Sequence, residues 1–157
     1  MNIFDSYTHS VLEELIKQKV QFIVIGGYAV NFHGFRRPTG DIDLWLKPEN
    51  GENKTHLIEA LRNLGITEPV LQKLSDLDFE KAQVFRDGEE PFRVDFLTKV
   101  SGVKFDEAWQ EKQSIELDGL NINFLHIKHL IATKITTGRN QDKIDIEELQ
   151  KIQKHKK

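Results

Sequence analysis

The 157-residue sequence contains no cysteine, which excludes disulfides, zinc–thiolate sites and cysteine nucleophiles. The lack of cysteine also fits a reducing compartment, so we expect a cytoplasmic protein. No apolar run approaches the ~18 residues that a membrane-spanning helix needs. The first residues lack the basic start and apolar run of a signal peptide. We therefore expect no membrane partner.

The chain also carries little net charge. Its formal charge is -3, although 30% of its residues are charged and 38% are hydrophobic. A protein that binds long nucleic acids mainly through its electrostatic field is usually basic, so the composition gives no support for such a partner. The balance of residues is that of a folded globular protein. The length suits a single domain over residues 1–157.

Apolar residues recur at helical spacing in some segments and at strand spacing in others. The predicted helices cover 2–19, 28–34, 54–64, 127–137 and 141–154, with shorter ones near 70–80 and 105–111. The predicted strands cover 21–25, 41–46, 82–86, 92–97, 114–117 and 120–124, and Asp118-Gly119 predicts a hairpin turn between the last two. This order predicts an α+β (mixed α/β) fold with a central mixed β-sheet flanked by helices. The C-terminal helices, about 126–154, are expected to pack on it.

Three aspartates form the first candidate site. Asp41 and Asp43 are two residues apart on a predicted strand, so their side chains share one face. Two ionised, partly buried carboxylates repel each other unless a cation lies between them. Asp95 lies on another predicted strand and completes the set if the two strands are neighbours. Oxygen ligands suit Mg²⁺ or Mn²⁺, and three carboxylates are enough to hold two ions about 3.5–4 Å apart.

An Asp-x-Asp pair alone is a weak signal. Asp76 and Asp78 have the same spacing, but no strand pattern or glycine turn precedes them, so we interpret them as a helix start or a solvated loop. For Asp41 and Asp43 the plain alternative is a strand-end turn. The glycines upstream shift the balance towards a site.

Gly26 and Gly27 follow an apolar strand and precede a predicted helix. Glycine allows the backbone to approach a phosphate closely with its N–H groups free to donate. The positive end of the helix adds to this attraction. A tight strand-to-helix turn with no ligand is the alternative, and only the combination with the aspartates makes the pair specific.

The run 25–30, the pair His33-Gly34 and the segment 37–44 together resemble the nucleotidyltransferase superfamily that includes DNA polymerase beta. The shared pattern is a glycine turn, a short helix, two acidic residues on the next strand and a third on a later strand, here Asp95. Within that superfamily the chain is most similar to the small minimal nucleotidyltransferase proteins of bacteria and archaea. Some of those belong to toxin–antitoxin pairs or are relatives of antibiotic-modifying enzymes.

The resemblance implies metal binding by Asp41 and Asp43, with Asp95 as third carboxylate and base. It implies that a nucleoside monophosphate moves from a nucleoside triphosphate to a hydroxyl acceptor, with release of pyrophosphate. The acceptor is left open among a small molecule, a protein and an RNA end.

Many catalytic relatives have Gly-Ser at the turn, where this chain has Gly26-Gly27. A weakly active or inactive module that pairs with a partner protein, such as a toxin, is therefore the alternative function.

Four further residues are candidates for nucleotide binding beside Gly26 and Gly27. Arg37 lies in the matching motif and suits bidentate phosphate contacts. Thr39 is able to fix the same loop through its hydroxyl. Lys134 and Arg139 belong to a segment that resembles a lysine, arginine and aspartate segment of the relatives, which implies a phosphate or structural ion-pair role. Lys134 is equally well interpreted as a lysine whose stem packs beside an apolar stripe.

Overall fold

The computed structural model describes residues 4–89 and 92–155. Its helices are α1 Ser6–Lys17, α2 Gly26–His33, α3 Glu52–Asn63, α4 Glu68–Asp76, α5 Phe105–Glu111, α6 Ile127–Thr137 and α7 Asn140–His155. Its strands are β1 Phe22–Ile25, β2 Ile42–Leu46, β3 Val84–Glu89, β4 Phe92–Leu97, β5 Gln113–Leu117 and β6 Leu120–Phe124.

The six strands form one mixed sheet in the order β3-β4-β2-β1-β6-β5. In the centre, β1 is antiparallel to β2, and β2 is parallel to β4. Towards the edges, β1 is parallel to β6, while β3 with β4 and β5 with β6 are antiparallel pairs. Helices pack around this sheet, so the predicted α+β fold with a central mixed sheet is confirmed.

Local sequence signals explain several element ends. The Asp5 carboxylate accepts from the Thr8 backbone N–H and caps α1. Gly138 ends α6 in the left-handed conformation, with φ of 65°, which glycine adopts without steric cost. In the β5–β6 hairpin, Asp118 and Gly119 both have positive φ, 51° and 80°, as the Asp-Gly pair predicts.

The core lies between the sheet and the helices. The central strands are buried almost throughout, and β1 is buried at all four positions. Helix α1 contributes Val11, Leu12 and Leu15 to the core and packs against α3, while α2 packs against both α6 and α7. The two last helices thus stand beside the short helix that follows the glycine pair, and this contact positions the site described below.

Some predicted boundaries are wrong. Helix α2 begins at Gly26 rather than at Tyr28, so the glycine pair is the first turn of the helix. Strand β2 begins at Ile42, and Asp41 lies just before it. Residues 1–3, 90–91 and 156–157, which the single-domain prediction includes, lie outside the described part of the chain.

Within residues 4–89 and 92–155, no helix combines the length and the apolar character that crossing a membrane requires.

Candidate active site

The strand register brings the three predicted aspartates together. Asp43 on β2 lies directly beside Asp95 on the parallel strand β4. On its other side Asp43 pairs with Ile25, the last residue of β1, so the following Gly26 lies against the Asp43 side chain. Asp41 lies one residue before β2, and its negative charge acts on the Asp43 carboxyl group. The carboxylates thus converge beside the first turn of α2.

Burial within this cluster raises the pKa of Asp43 to about 7. Burial is the largest cause, followed by the negative charges of Asp95 and Asp41 and by a hydrogen bond with Asp95. The Lys134 ammonium acts in the opposite direction and favours the ionised form. A carboxyl group that stays partly protonated near neutral pH is in a place where a cation would be stabilising.

Two arginines of the same sheet contact the carboxylates. Arg93 Nε donates to Asp41 Oδ2 over 2.9 Å, and Arg93 Nη2 donates to the same oxygen. Arg86 Nε lies 2.9 Å from Asp95 Oδ1. That distance is short, but the groups are not aligned for a hydrogen bond, and buried Asp95 Oδ1 has no hydrogen-bond partner among the described residues.

These observations test whether the residues fit a divalent cation. The raised pKa of Asp43 and the unsatisfied oxygen of Asp95 both favour one, because a cation would relieve the repulsion and satisfy the buried oxygen. Among the described residues, however, no three His, Asp or Glu side chains already form a metal-binding group. Asp41 is instead paired with Arg93. The carboxylate oxygens of Asp43 and Asp95 are ligands of the kind that a hard cation prefers.

The glycine pair is required by close contacts. A Cβ on Gly26 would lie 2.2 Å from Asp43 Oδ2, and the φ of Gly26 is +68°. A Cβ on Gly27 would lie 2.1 Å from Thr39 Oγ1. The Thr39 hydroxyl therefore occupies the space that a side chain at position 27 would need. The pair permits both the bend and the approach of the segment 37–43 to the start of α2.

The cationic candidates point towards carboxylates of α7. Arg37 binds Asp145 with two hydrogen bonds of 2.8 Å, one to each carboxylate oxygen. Lys134 Nζ lies 2.9 Å from Asp145 Oδ2 and 3.3 Å from Asp142 Oδ1. Arg139 Nε donates to Asp142 Oδ2 over 2.9 Å, but its side chain is 76% exposed. This buried ion network, formed by Arg37, Lys134, Asp142 and Asp145 with Arg139 at its edge, ties the loop before β2 to α6 and α7.

The network fixes the charges of its two carboxylates. Burial acts to raise the pKa of Asp142, but hydrogen bonds from Arg139 and Thr137 and the charge of Lys134 outweigh it and hold that pKa well below its usual range. Burial likewise acts to raise the pKa of Asp145. The hydrogen bonds from Arg37, Lys134 and Gln141 outweigh it and lower that pKa. Both groups are therefore ionised partners that hold the cations in place.

The sequence reasoning missed three charged residues of this region. Arg93 lies two residues before Asp95 and so shares its face of β4, a signal that the strand pattern contained. Arg86 lies opposite Asp95 on β3, a pairing that only the sheet register shows. Asp145 lies three residues after Asp142, and this helical spacing places both on one face of α7.

The other candidates have ordinary structural surroundings. Asp76 ends α4 rather than starting a helix, and Asp78 lies in the loop beyond it, where it accepts from Asn50. His33 is buried, and its Nε2 lies 2.7 Å from the Leu125 carbonyl oxygen. The pair Asp76 and Asp78 thus lacks the sheet context that unites the three site aspartates.

Solved structures of other proteins share the fold of this chain. A protein from Thermotoga maritima described as a candidate nucleotidyltransferase has a similar fold, with a TM-score of 0.57 and 13% identity over 92% of this chain and 91% of that one. The lincomycin-bound lincosamide antibiotic adenylyltransferase LnuA gives a TM-score of 0.51 and 15% identity over 97% of this chain and 99% of that one. No curated protein sequence matches the chain. A family model does match residues 5–157, and the chain therefore belongs to the family described as nucleotidyl transferase of unknown function (DUF2204).

Proposed function

We propose that the protein is a metal-dependent nucleotidyltransferase that moves a nucleoside monophosphate from a nucleoside triphosphate to a hydroxyl group. The observation that carries this proposal is the meeting of Asp41, Asp43 and Asp95 beside the first turn of α2. Family membership and the fold of the adenylyltransferase neighbour support nucleotidyl transfer in general. The requirement for a divalent cation and the transfer to a hydroxyl acceptor are the further parts that we propose.

Asp43 and Asp95 would hold the divalent cation, with Asp41 joining them when it leaves Arg93. Mg²⁺ or Mn²⁺ bound there, as one ion or two, would neutralise the charge that develops on the reacting phosphate. The raised pKa of Asp43 supports this assignment, because the group needs a positive neighbour to ionise fully. The Lys134 ammonium contributes part of that positive field from α6.

The start of α2 would bind the triphosphate. The backbone N–H groups at Gly26 and Gly27 begin an eight-residue helix whose positive end attracts anions. The Thr39 hydroxyl lies against Gly27. It would therefore supply the side-chain donor that a glycine at position 27 lacks. The network formed with Asp142 and Asp145 would keep Arg37 and Lys134 in position, while exposed Arg139 is the cation best placed to reach a ligand.

Asp95 would act as the base. Its buried carboxylate has two oxygens, so one would hold the cation while the other accepts the proton. In the reaction the acceptor oxygen forms a bond to the α-phosphorus, and the bond from that phosphorus to the bridging oxygen of the leaving group breaks. The hydroxyl proton passes to Asp95, and pyrophosphate leaves with the bonding electron pair.

The proposal is tested with each of the four ribonucleoside triphosphates, labelled at the α-phosphate, in the presence of Mg²⁺ or Mn²⁺. The acceptor panel contains RNA ends, proteins from a cell extract and hydroxyl-bearing small molecules, including a lincosamide because LnuA is described as acting on that class. We expect labelled product and pyrophosphate from the wild-type protein and none from Asp43→Asn. Asp76→Asn, from the exposed pair of equal spacing, is the matched control and should retain full activity.

The absence of product with every acceptor, together with the absence of metal-dependent triphosphate binding, would refute the proposal. Metal-dependent triphosphate binding without turnover, with a protein that co-purifies stoichiometrically, would instead indicate the partner-protein module.

A further inference from the structure

Arg93 already neutralises part of the carboxylate cluster. Asp95 lies beside Asp43 in the parallel pair of β2 and β4, and Arg93, two residues before Asp95, contacts Asp41. Two N–H groups of Arg93 donate to the single oxygen Asp41 Oδ2, and Nε does so over 2.9 Å. The side chains are 23% and 21% exposed, so water screens this ion pair only partly.

We propose that Arg93 is an internal counter-ion that a divalent cation must displace from Asp41, so that Arg93 sets the metal affinity of the site. This inference rests on the proposed function, because it concerns the metal site assigned there. It explains why the three carboxylates meet and yet form no ready metal-binding group among the described residues.

The chemistry of the ion pair supports competition. Asp41 Oδ2 accepts two charge-assisted hydrogen bonds, which are stronger than neutral ones and hold the carboxylate in one orientation. A cation and a guanidinium group repel each other and cannot both lie close to that oxygen. Binding of a cation at Asp41 Oδ2 therefore requires Arg93 to move away.

Arg86 is a weaker competitor. It approaches Asp95 Oδ1 to 2.9 Å without an aligned hydrogen bond, and its side chain is 57% exposed. Because the Arg86 side chain is largely exposed, water screens this ion pair more than it screens the pair of Arg93 and Asp41. Arg93, which is better aligned and less exposed, is thus the residue whose removal should change metal affinity most.

Displacement of Arg93 from Asp41 would also couple metal binding to triphosphate binding. A guanidinium group released at the rim of the site can be paired again by phosphate oxygens, which it binds in the same forked manner as a carboxylate. A triphosphate that pairs with Arg93 would then favour metal binding, and by linkage the metal would favour the triphosphate.

The first experiment measures Mn²⁺ affinity without nucleotide, by electron paramagnetic resonance of the free ion. Arg93→Gln should bind Mn²⁺ roughly tenfold more tightly than the wild-type protein, which is the change expected from removing one charge-assisted contact. The matched control is Arg62→Gln, because Arg62 lies on α3 and pairs with Glu59 and Glu68 rather than with a site carboxylate. This control should change the affinity by about twofold or less.

The second experiment observes Arg93 in the wild-type protein and so does not depend on a substitution of that residue. The Nε–H resonance of Arg93, identified by its absence in Arg93→Lys, is followed by NMR as Mg²⁺ is added. We expect it to shift or to exchange away in proportion to site occupancy. This measurement decides the inference even where Arg93→Gln does not fold.

The outcomes separate this inference from the proposed function. Saturation with Mg²⁺ and an unchanged Arg93 resonance would overturn the inference alone, as would equal Mn²⁺ affinity in Arg93→Gln and Arg62→Gln. Mn²⁺ binding by Arg93→Gln with weak binding by the wild-type protein would support the inference strongly. No binding by either protein would overturn both proposals.

Discussion

Replacing Asp145 by asparagine removes a carboxylate that pairs with both Arg37 and Lys134. The Asp145 side chain is 0% exposed, and those of Arg37 and Lys134 are 18% and 8% exposed. Asparagine has nearly the same shape, so the packing of α7 is preserved while the negative charge is lost. The substitution leaves two cations close together with only Asp142 as a buried counter-charge.

The expected loss of stability is large. Removing one partner of a buried ion pair costs about 3–5 kcal/mol, because the other partner is left buried without compensation. The asparagine oxygen is still able to accept one hydrogen bond, which reduces the expected loss to about 2–4 kcal/mol. Domains of this size lose about 2–4 °C in Tm for each kcal/mol, so we expect a fall of roughly 5–15 °C.

The measurement is urea unfolding at pH 7, followed by circular dichroism and by tryptophan fluorescence. The matched control is Glu148→Gln on the same helix, since Glu148 is 37% exposed and lies 3.3 Å from Lys151 Nζ. Removal of such an exposed pair should cost less than about 0.5 kcal/mol. Adding Lys134→Met to Asp145→Asn should recover part of the stability, because one uncompensated cation is then removed.

A loss for Asp145→Asn within about 0.5 kcal/mol of that of Glu148→Gln would refute the reasoning, since measured buried and exposed pairs differ by more than this. Failure of Lys134→Met to restore any stability would show that the cost lies in packing rather than in unpaired charge.

Four further predictions concern the glycine turn and the site carboxylates. Gly27→Ser should lower both stability and triphosphate affinity, because its Cβ would lie 2.1 Å from Thr39 Oγ1, and Thr39→Ala should restore part of both in calorimetry. Gly26→Ala should cost at least about 1 kcal/mol in urea unfolding, since alanine is strained at a φ of +68° and its Cβ meets Asp43. The pKa of Asp43 is raised above its unfolded value to about 7, so the folded protein loses stability as pH rises from about 4 to 7. Asp43→Asn should therefore raise the Tm at pH 8 without metal while it abolishes turnover. The pKa of Asp142 is lowered, so its contribution is present above about pH 4 and is lost as pH falls further. The Tm of Asp142→Asn should accordingly vary less between pH 6 and pH 2 than that of the wild-type protein.

The local sequence pattern was sufficient to predict most of the helices and strands. Strand runs such as 21–25, helical stripes such as 127–137 and the Asp118-Gly119 turn depend on neighbours in the chain, and the structure contains elements at each of these places. The element boundaries were less well predicted. Helix α2 begins at Gly26, whose φ of +68° is open to glycine, and the local pattern did not reveal that start.

The sequence by itself placed Asp41 and Asp43 two residues apart at the start of a strand, because the alternation that predicts β2 is local in the chain. Only the tertiary structure decided that Asp95 lies beside Asp43, since strand order depends on packing between distant segments. The same packing turned Arg37 and Lys134 towards Asp145 and placed Arg93 against Asp41. Long cationic side chains reach several partners, and which one they pair with depends on the carboxylates that the fold brings within reach.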